Sequence, residues 1–264
     1  MGSGRRRENV GLVSARASSL GTRTRARRGI KTALHDERDG PLPALLLALT
    51  VLAGVVDAVS ILRLGNVFVA TMTGNLVFIG LAAAGAKGFA VGTSALALGA
   101  FVIGVLIGGR ACRAARSHRG RALRNVLGVK LALATPVTLL AILTGSRFSV
   151  GVRDTILVLL AMSMGAQLAA IRYLKVPDLL TVVLTLTITG ALTERGGGWD
   201  DPKTLRRGLA VVAFAVGALS GALLILHVSV GAALLLGLGI IVACAIAAHL
   251  VSRTSESWTA PRSP

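Results

Sequence analysis

Acidic residues, cysteines and histidine pairs are scarce in this chain, and each shortage removes a class of function. Only 2 cysteines occur, Cys112 and Cys244; they lie far apart, so there is no disulfide framework and no C-x-x-C metal or redox spacing. None of the 4 histidines (His35, His118, His227, His249) sits four residues from another, and none neighbours a carboxylate inside an apolar run. Metal chemistry therefore lacks ligands. No nucleophile stands beside a base at readable spacing, and Asp154, Asp178 and Glu194 fall at the edges of apolar runs, where charges ordinarily sit. The chain is expected not to be an enzyme and to need no cofactor.

With 11 Asp and Glu against 29 Lys and Arg, the formal net charge is +18, which in a soluble protein points to nucleic acid. Placement argues otherwise. Arg5, Arg6, Arg7, Arg16, Arg23, Arg25, Arg27, Arg28, Lys31 and Arg38 crowd the N-terminus, and most other basic residues lie between apolar runs. That distribution sets membrane topology. Nucleic acid is excluded as a partner, and the tail is expected to meet anionic lipid headgroups, at about 1 kcal/mol per basic residue near the surface.

Apolar sequence is abundant: 53% of residues are hydrophobic and the mean hydropathy is +0.75. Several runs approach the ~20 residues a spanning helix needs. The fold class is all-α, a polytopic helix bundle with the lipid bilayer as its solvent. Residues 1–40, rich in Arg, Ser, Thr and Gly, read as a disordered cytoplasmic tail, or as sequence upstream of the true start. A transit peptide and a twin-arginine signal around Arg27–Lys31 compete, the second opposed by the acids of His35–Asp39. The transmembrane domain is expected over 41–251, and a polar, mobile tail over 252–264.

Apolar runs fall at about Pro41–Leu64, Val67–Ala84, Phe89–Gly109, Val126–Thr144 (with Pro136 expected to kink it), Ile156–Ile171, Leu179–Leu192, Gly208–Leu226 and Val230–Val251. The second and sixth are short and dotted with threonine. Gly54-x-x-Asp57 is answered by Gly165-x-Gln167, Arg63 by Arg172 and Lys175, and Thr71 and Thr73 by Thr181 and Thr185. Gly104/Gly108 is answered by Gly217/Gly221, two G-x-x-x-G pairs expected to pack helices closely. The halves, about 42–145 and 154–251, thus read as an internal repeat. Charge sets the topology. If all eight runs spanned, the arginines of the 110–124 loop would lie opposite the tail, against the positive-inside rule. Six full spans with two short interrupted helices, each entering and leaving on one side, place both termini and most basic loops in the cytoplasm. The halves are then inverted, a recurring design of secondary transporters.

The segment G-x-x-D-A-x-S-x-L (Gly54, Asp57, Ala58, Ser60, Leu62) followed by V-F-V-A-x-x-T-G-N (Val67–Asn75) resembles the YoaK-like family of bacterial membrane proteins. Gly165–Gln167 and the threonines of 181–189 fit the same family, and the resemblance covers about residues 42–250. It implies a multi-pass protein of the bacterial plasma membrane, without naming a substrate; the long basic tail departs from the family pattern.

Asp57 is the leading site residue. A carboxylate inside an apolar helix costs about 2.5–3.5 kcal/mol on insertion, so it should face protein or water and could carry a proton or bind a cation. The bland alternative is a fixed ion pair with Arg63 or Lys130. Thr71, Thr73, Gly74 and Asn75 could offer hydroxyls, an amide and free backbone to a solute at a helix break, or could merely bond back to their own helix. Gln167, Thr181 and Thr185 are weighed likewise, whereas Thr187, Thr189, Trp199, Asp200 and Asp201 are read as structural or solvated. The expected function is a small-solute permease or exporter, the solute or proton unidentified. The alternative is a non-transporting scaffold or regulator. Homo-oligomerisation stays open.

Overall fold

The computed structural model describes residues 34, 39–116, 118–145, 148–176, 202–253 and 257–260. Among them the regular structure is helical: α1 (Leu42–Arg63), the short α2 (Met72–Ala83), α3 (Val91–Arg113), α4 (Arg119–Thr144), α5 (Val150–Leu174), α6 (Pro202–His227), α7 (Val230–Val251) and a 3-10 turn at Ser257–Thr259. Helix is what lipid demands of such sequence, because it satisfies every backbone group within the segment. Six of these helices are long and apolar enough to cross a membrane. At 1.5 Å per residue their 22–26 residues reach roughly 33–39 Å, against ~30 Å of hydrocarbon. The 12 residues of α2 reach only about 18 Å and cannot. Exposed aliphatic side chains on α3 (Val102, Ile103, Leu106) and α6 (Val212, Val216, Leu219) are surface that lipid would cover.

The fourth run starts earlier than its apolarity suggests. α4 begins at Arg119, because the His118 ring accepts the Arg121 N–H at 3.2 Å and the arginines, Ala122 and Leu123 are good helix formers. The expected 110–124 loop shrinks to a turn at 114–118. α4 runs through Pro136 without interruption.

Two cross-half contacts organise the bundle, α1 against α6 and α3 against α5, and glycines make both possible. A Cβ on Gly104 would overlap the Met162 carbonyl, and one on Gly108 would crowd Ala166. A Cβ on Gly217 would likewise overlap the Val51 carbonyl, and one on Gly221 would crowd Val55. Reciprocally, Gly165 lies against the Phe101 carbonyl and Gly54 against the Phe214 carbonyl. Each contact in one pair has its counterpart at the same offset in the other, so the two crossings are one arrangement made twice. All four glycines of the G-x-x-x-G pairs serve helix packing, as their spacing predicts.

The chain between α1 and α3 makes a hairpin. Asn66 Nδ2 donates to Gly88 O at 3.1 Å, tying its entrance to its exit. Residues 67–71 run in, non-helical, bonded to Asp57 of α1, and α2 runs back. The first short element therefore begins and ends at the same end of the bundle. α5 ends, and α6 begins, at the opposite end: Arg119 bonds Leu174 O and Asp39, and Asp39 also meets Arg206. The second short run, Leu179–Leu192 with Thr181, Thr185, Thr187 and Thr189, lies outside the described residues, as do Trp199, Asp200, Asp201 and most of the N-terminal tail. Trp258, in the expected C-terminal tail, is buried against Gly40.

Candidate functional site

Asp57 lies in the second half of α1, one turn beyond Gly54, and is 4% exposed. Its carboxylate takes no ion pair among the described residues, neither Arg63 nor Lys130. It holds the re-entrant segment instead. Oδ1 accepts the Val69 and Ala70 N–H groups at 3.0 and 2.8 Å, and Oδ2 accepts the Thr71 hydroxyl at 2.5 Å. The Val69 and Ala70 N–H groups lie outside any helix, and leaving such donors unmade when buried costs about 1–3 kcal/mol each. Charge-assisted bonds to a carboxylate suit the task.

Asn75, fully buried on α2, completes the hairpin. Its Oδ1 accepts the Phe68 N–H at 2.8 Å and its Nδ2 donates to the Phe68 carbonyl at 2.7 Å, so the amide stands in for a neighbouring strand. Gly74 leaves room for the Phe68 ring, which a Cβ there would strike, and Phe68 stacks on Phe78 at 5.4 Å. Thr73 is exposed and the structure does not bring it to the others. Thr181 and Thr185 lie outside the described residues.

Gln167 approaches from the other half. It is 2% exposed, its Nε2 donates to Leu49 O at 3.0 Å, and its Oε1 is buried with no hydrogen-bond partner among the described residues. It lines a cavity of about 20 Å³ together with Ala53, Ala70, Thr71, Phe101, Met164, Leu168, Ile171 and Phe214, enough for about one water. Four of these residues match across the two crossings: Ala53 and Met164 each precede the crossing glycine of their helix, and the Phe101 and Phe214 carbonyls lie beneath Gly165 and Gly54. The cavity thus lies beside both crossings. Its polar residues are Gln167 and Thr71, the Thr71 hydroxyl donating to Asp57.

Lys130, 0% exposed in the middle of α4, donates to Ser163 Oγ at 3.1 Å and to Ser163 O at 3.3 Å, with no carboxylate partner among the described residues. Reading the sequence missed a second buried centre, at the bundle end that carries the 113–119 turn. Arg119, 1% exposed, meets Asp39 at 2.9 Å, donates to Leu174 O through Nε and Nη2, and reaches Trp258 O at 3.1 Å. Asp39 also lies 3.7 Å from Arg206. One guanidinium so ties the start of α1, the end of α5 and the C-terminal turn. The available signal was a lone tryptophan in a polar tail.

Comparison with known proteins places this architecture. The chain is 35% identical over 193 residues to the UPF0700 transmembrane protein YoaK of Bacillus subtilis (strain 168), covering 68% of this chain and 82% of that protein. No solved structure matches. Residues 45–247, which take in the re-entrant hairpin and all but the outermost turns of the first and last spans, match the family described as protein of unknown function DUF1275, and the chain belongs to that family of multi-pass membrane proteins.

Proposed function

We propose that this protein is a small-solute permease or exporter of the bacterial plasma membrane, with its solute route through the cavity beside the two crossings. The observation that carries the reading is that cavity. Residues of both halves and of the re-entrant segment line it, among them Gln167, whose Oε1 is buried without a hydrogen-bond partner among the described residues. Interrupted elements at the interface of inverted repeats are where secondary transporters bind their substrates. The arginine-rich end, with Arg113, Arg116 and Arg121, faces the cytoplasm by the positive-inside rule, and both termini with it.

In this reading Asp57 is the coupling group. Ionised, it fastens Val69, Ala70 and Thr71 to α1. Protonated, it loses acceptor strength and the hairpin loosens, so taking up a proton and opening the cavity are one event. Thr71 and Gln167 contact the solute. A non-transporting scaffold is the second reading, favoured by the fact that the side chains of Asp57 and Asn75 bond the residues of the hairpin itself.

The test is single-cysteine labelling in membrane vesicles, in a background lacking Cys112 and Cys244, with a membrane-impermeant thiol reagent. A cysteine at Ala70 should label and one at Val59, 0% exposed within α1, should not. Asp57→Asn should change the Ala70 labelling rate and abolish its dependence on pH. If Ala70 stays dark from both sides at every pH, the permease reading fails and the scaffold takes its place.

A further inference from the structure

We propose that the cleft where α3, α4 and α7 end is a binding site for the phosphate of an anionic phospholipid headgroup. It measures about 570 Å³ and is lined by Ala114, Ala115, Arg116, Arg121, Arg124, Asn125, Ser252 and Arg253. Among the described residues that line it, none is a carboxylate. Asp39, nearby in the fold, is already held by Arg119 and Arg206. Arg124 is only loosely engaged, 3.4 Å from Asn125 Oδ1, and Arg116, Arg121 and Arg253 are exposed, their guanidinium groups without a hydrogen-bond or ion-pair partner among the described residues.

Topology alone asks for positive charge at this end of the bundle, not for its convergence. Arg110, Arg172 and Lys175 serve that purpose from outside the cleft. Four guanidinium groups from three helix ends instead surround one opening. Arg116 joins them from a left-handed backbone, φ 48°, a conformation uncommon for a residue with a side chain. Guanidinium is the group that grips phosphate oxygens in pairs, where an ammonium acts as a point charge. The cleft opens at the ends of membrane-spanning helices, the level of headgroups, and basic pockets between such helices take anionic lipids. A lipid held here requires no transport activity, so it stands apart from the permease reading.

Native mass spectrometry of the full chain tests it, with phosphatidylglycerol as the probe, phosphatidylcholine as the uncharged control and sodium pyrophosphate as the aqueous phosphate. The variant is Arg116→Lys, Arg121→Lys and Arg253→Lys together. It keeps the topogenic charge and the contribution of the N-terminal tail while removing paired hydrogen bonding. Wild type should retain phosphatidylglycerol and not phosphatidylcholine, and the variant should retain about tenfold less. Arg121→Lys alone, a single exposed change, should lose a smaller share and guards against a misfolded triple variant. Equal retention in wild type and both variants overturns the site. Displacement of the lipid by pyrophosphate overturns the lipid source and assigns the cleft to a soluble phosphate.

Discussion

The α1–α6 crossing and the α3–α5 crossing share a backbone arrangement but not a chemistry. In each, a G-x-x-x-G face lies on the helix that opens the other half, and a single glycine of that helix answers it. In the first half the next polar group is Asp57, three residues past Gly54; in the second it is Gln167, two past Gly165. One residue of difference turns a side chain by about 100° around the helix. Asp57 accordingly faces the re-entrant hairpin and spends its acceptors on it. Gln167, which lines the cavity, bonds Leu49 O and keeps an oxygen without a partner among the described residues. The same crossing geometry thus carries a latch in one half and an open acceptor in the other.

Adding a methyl to either crossing should do the most damage, and equal damage. Gly104→Ala and Gly217→Ala both drive a Cβ into a backbone carbonyl, which no rotamer change relieves. The cost is expected at or above the upper end of the about 1–3 kcal/mol typical of overpacking. Gly99→Ala, which meets open space on the same helix as Gly104, should match wild type. Thermal unfolding in detergent, followed by size exclusion, reads all three. A tolerated Gly217→Ala beside a crippling Gly104→Ala would break the equivalence of the two crossings.

Next in size is the latch. Asp57→Ala orphans two backbone N–H groups, those of Val69 and Ala70, at roughly 1–3 kcal/mol each, and should raise cysteine labelling along 67–71. Asp57→Asn keeps a carbonyl oxygen for both and should recover most of that stability while removing the ionisable group. Unfolding temperatures separate the variants. If Asn is as damaging as Ala, the charge itself holds the hairpin.

How much of this could be read from the residues differs element by element. The packing faces of α3 and α6 were legible because residues four apart share one side of a helix, so Gly104/Gly108 and Gly217/Gly221 announce a flat surface. Their partners were not, since spacing shows that a face is small and not which helix lies on it. The first short element was visible from the polar groups between Thr71 and Asn75, and α2 is too short to span. For Asp57 the sequence offered partners only in the alternative of a fixed ion pair, with Arg63 or Lys130. Its actual partners are the main-chain N–H groups 12 and 13 residues downstream and the Thr71 hydroxyl beside them, and a backbone donor has no sequence signature. Arg119 was hidden among five other arginines between 110 and 124 for a related reason: burial, not residue type, sets it apart.

Lys130 sharpens the comparison from a third helix. α4 sets this lysine on Ser163 of α5, two residues before Gly165, and α7 sets Gly237 on Leu52 of α1, two residues before Gly54. The same register thus carries a buried ammonium in one half and packed hydrocarbon in the other. Replacing buried charge with an apolar side chain of similar volume is often neutral or stabilising, by roughly 1–4 kcal/mol. Lys130→Met should therefore leave the unfolding temperature unchanged or raise it, with Ser163 turning its hydroxyl to the preceding turn. A lower unfolding temperature would mean that the lysine is structural.

Gln167 should show the smallest effect on stability, and that smallness is the point of contrast with Asp57. Gln167→Leu gives up one neutral hydrogen bond to Leu49 O, worth about 0.5–1.5 kcal/mol net. It also removes an unpartnered buried oxygen, whose desolvation is a cost in the wild type. The two changes oppose each other, so the unfolding temperature should move far less than in Asp57→Ala. An acceptor kept over a cavity without stabilising the fold has its use in what enters the cavity. Gln167→Leu should consequently alter labelling of a cysteine at Ala70 or Leu168 while leaving the fold intact. A loss of stability as large as that of Asp57→Ala would make both residues latches and remove the asymmetry between the halves.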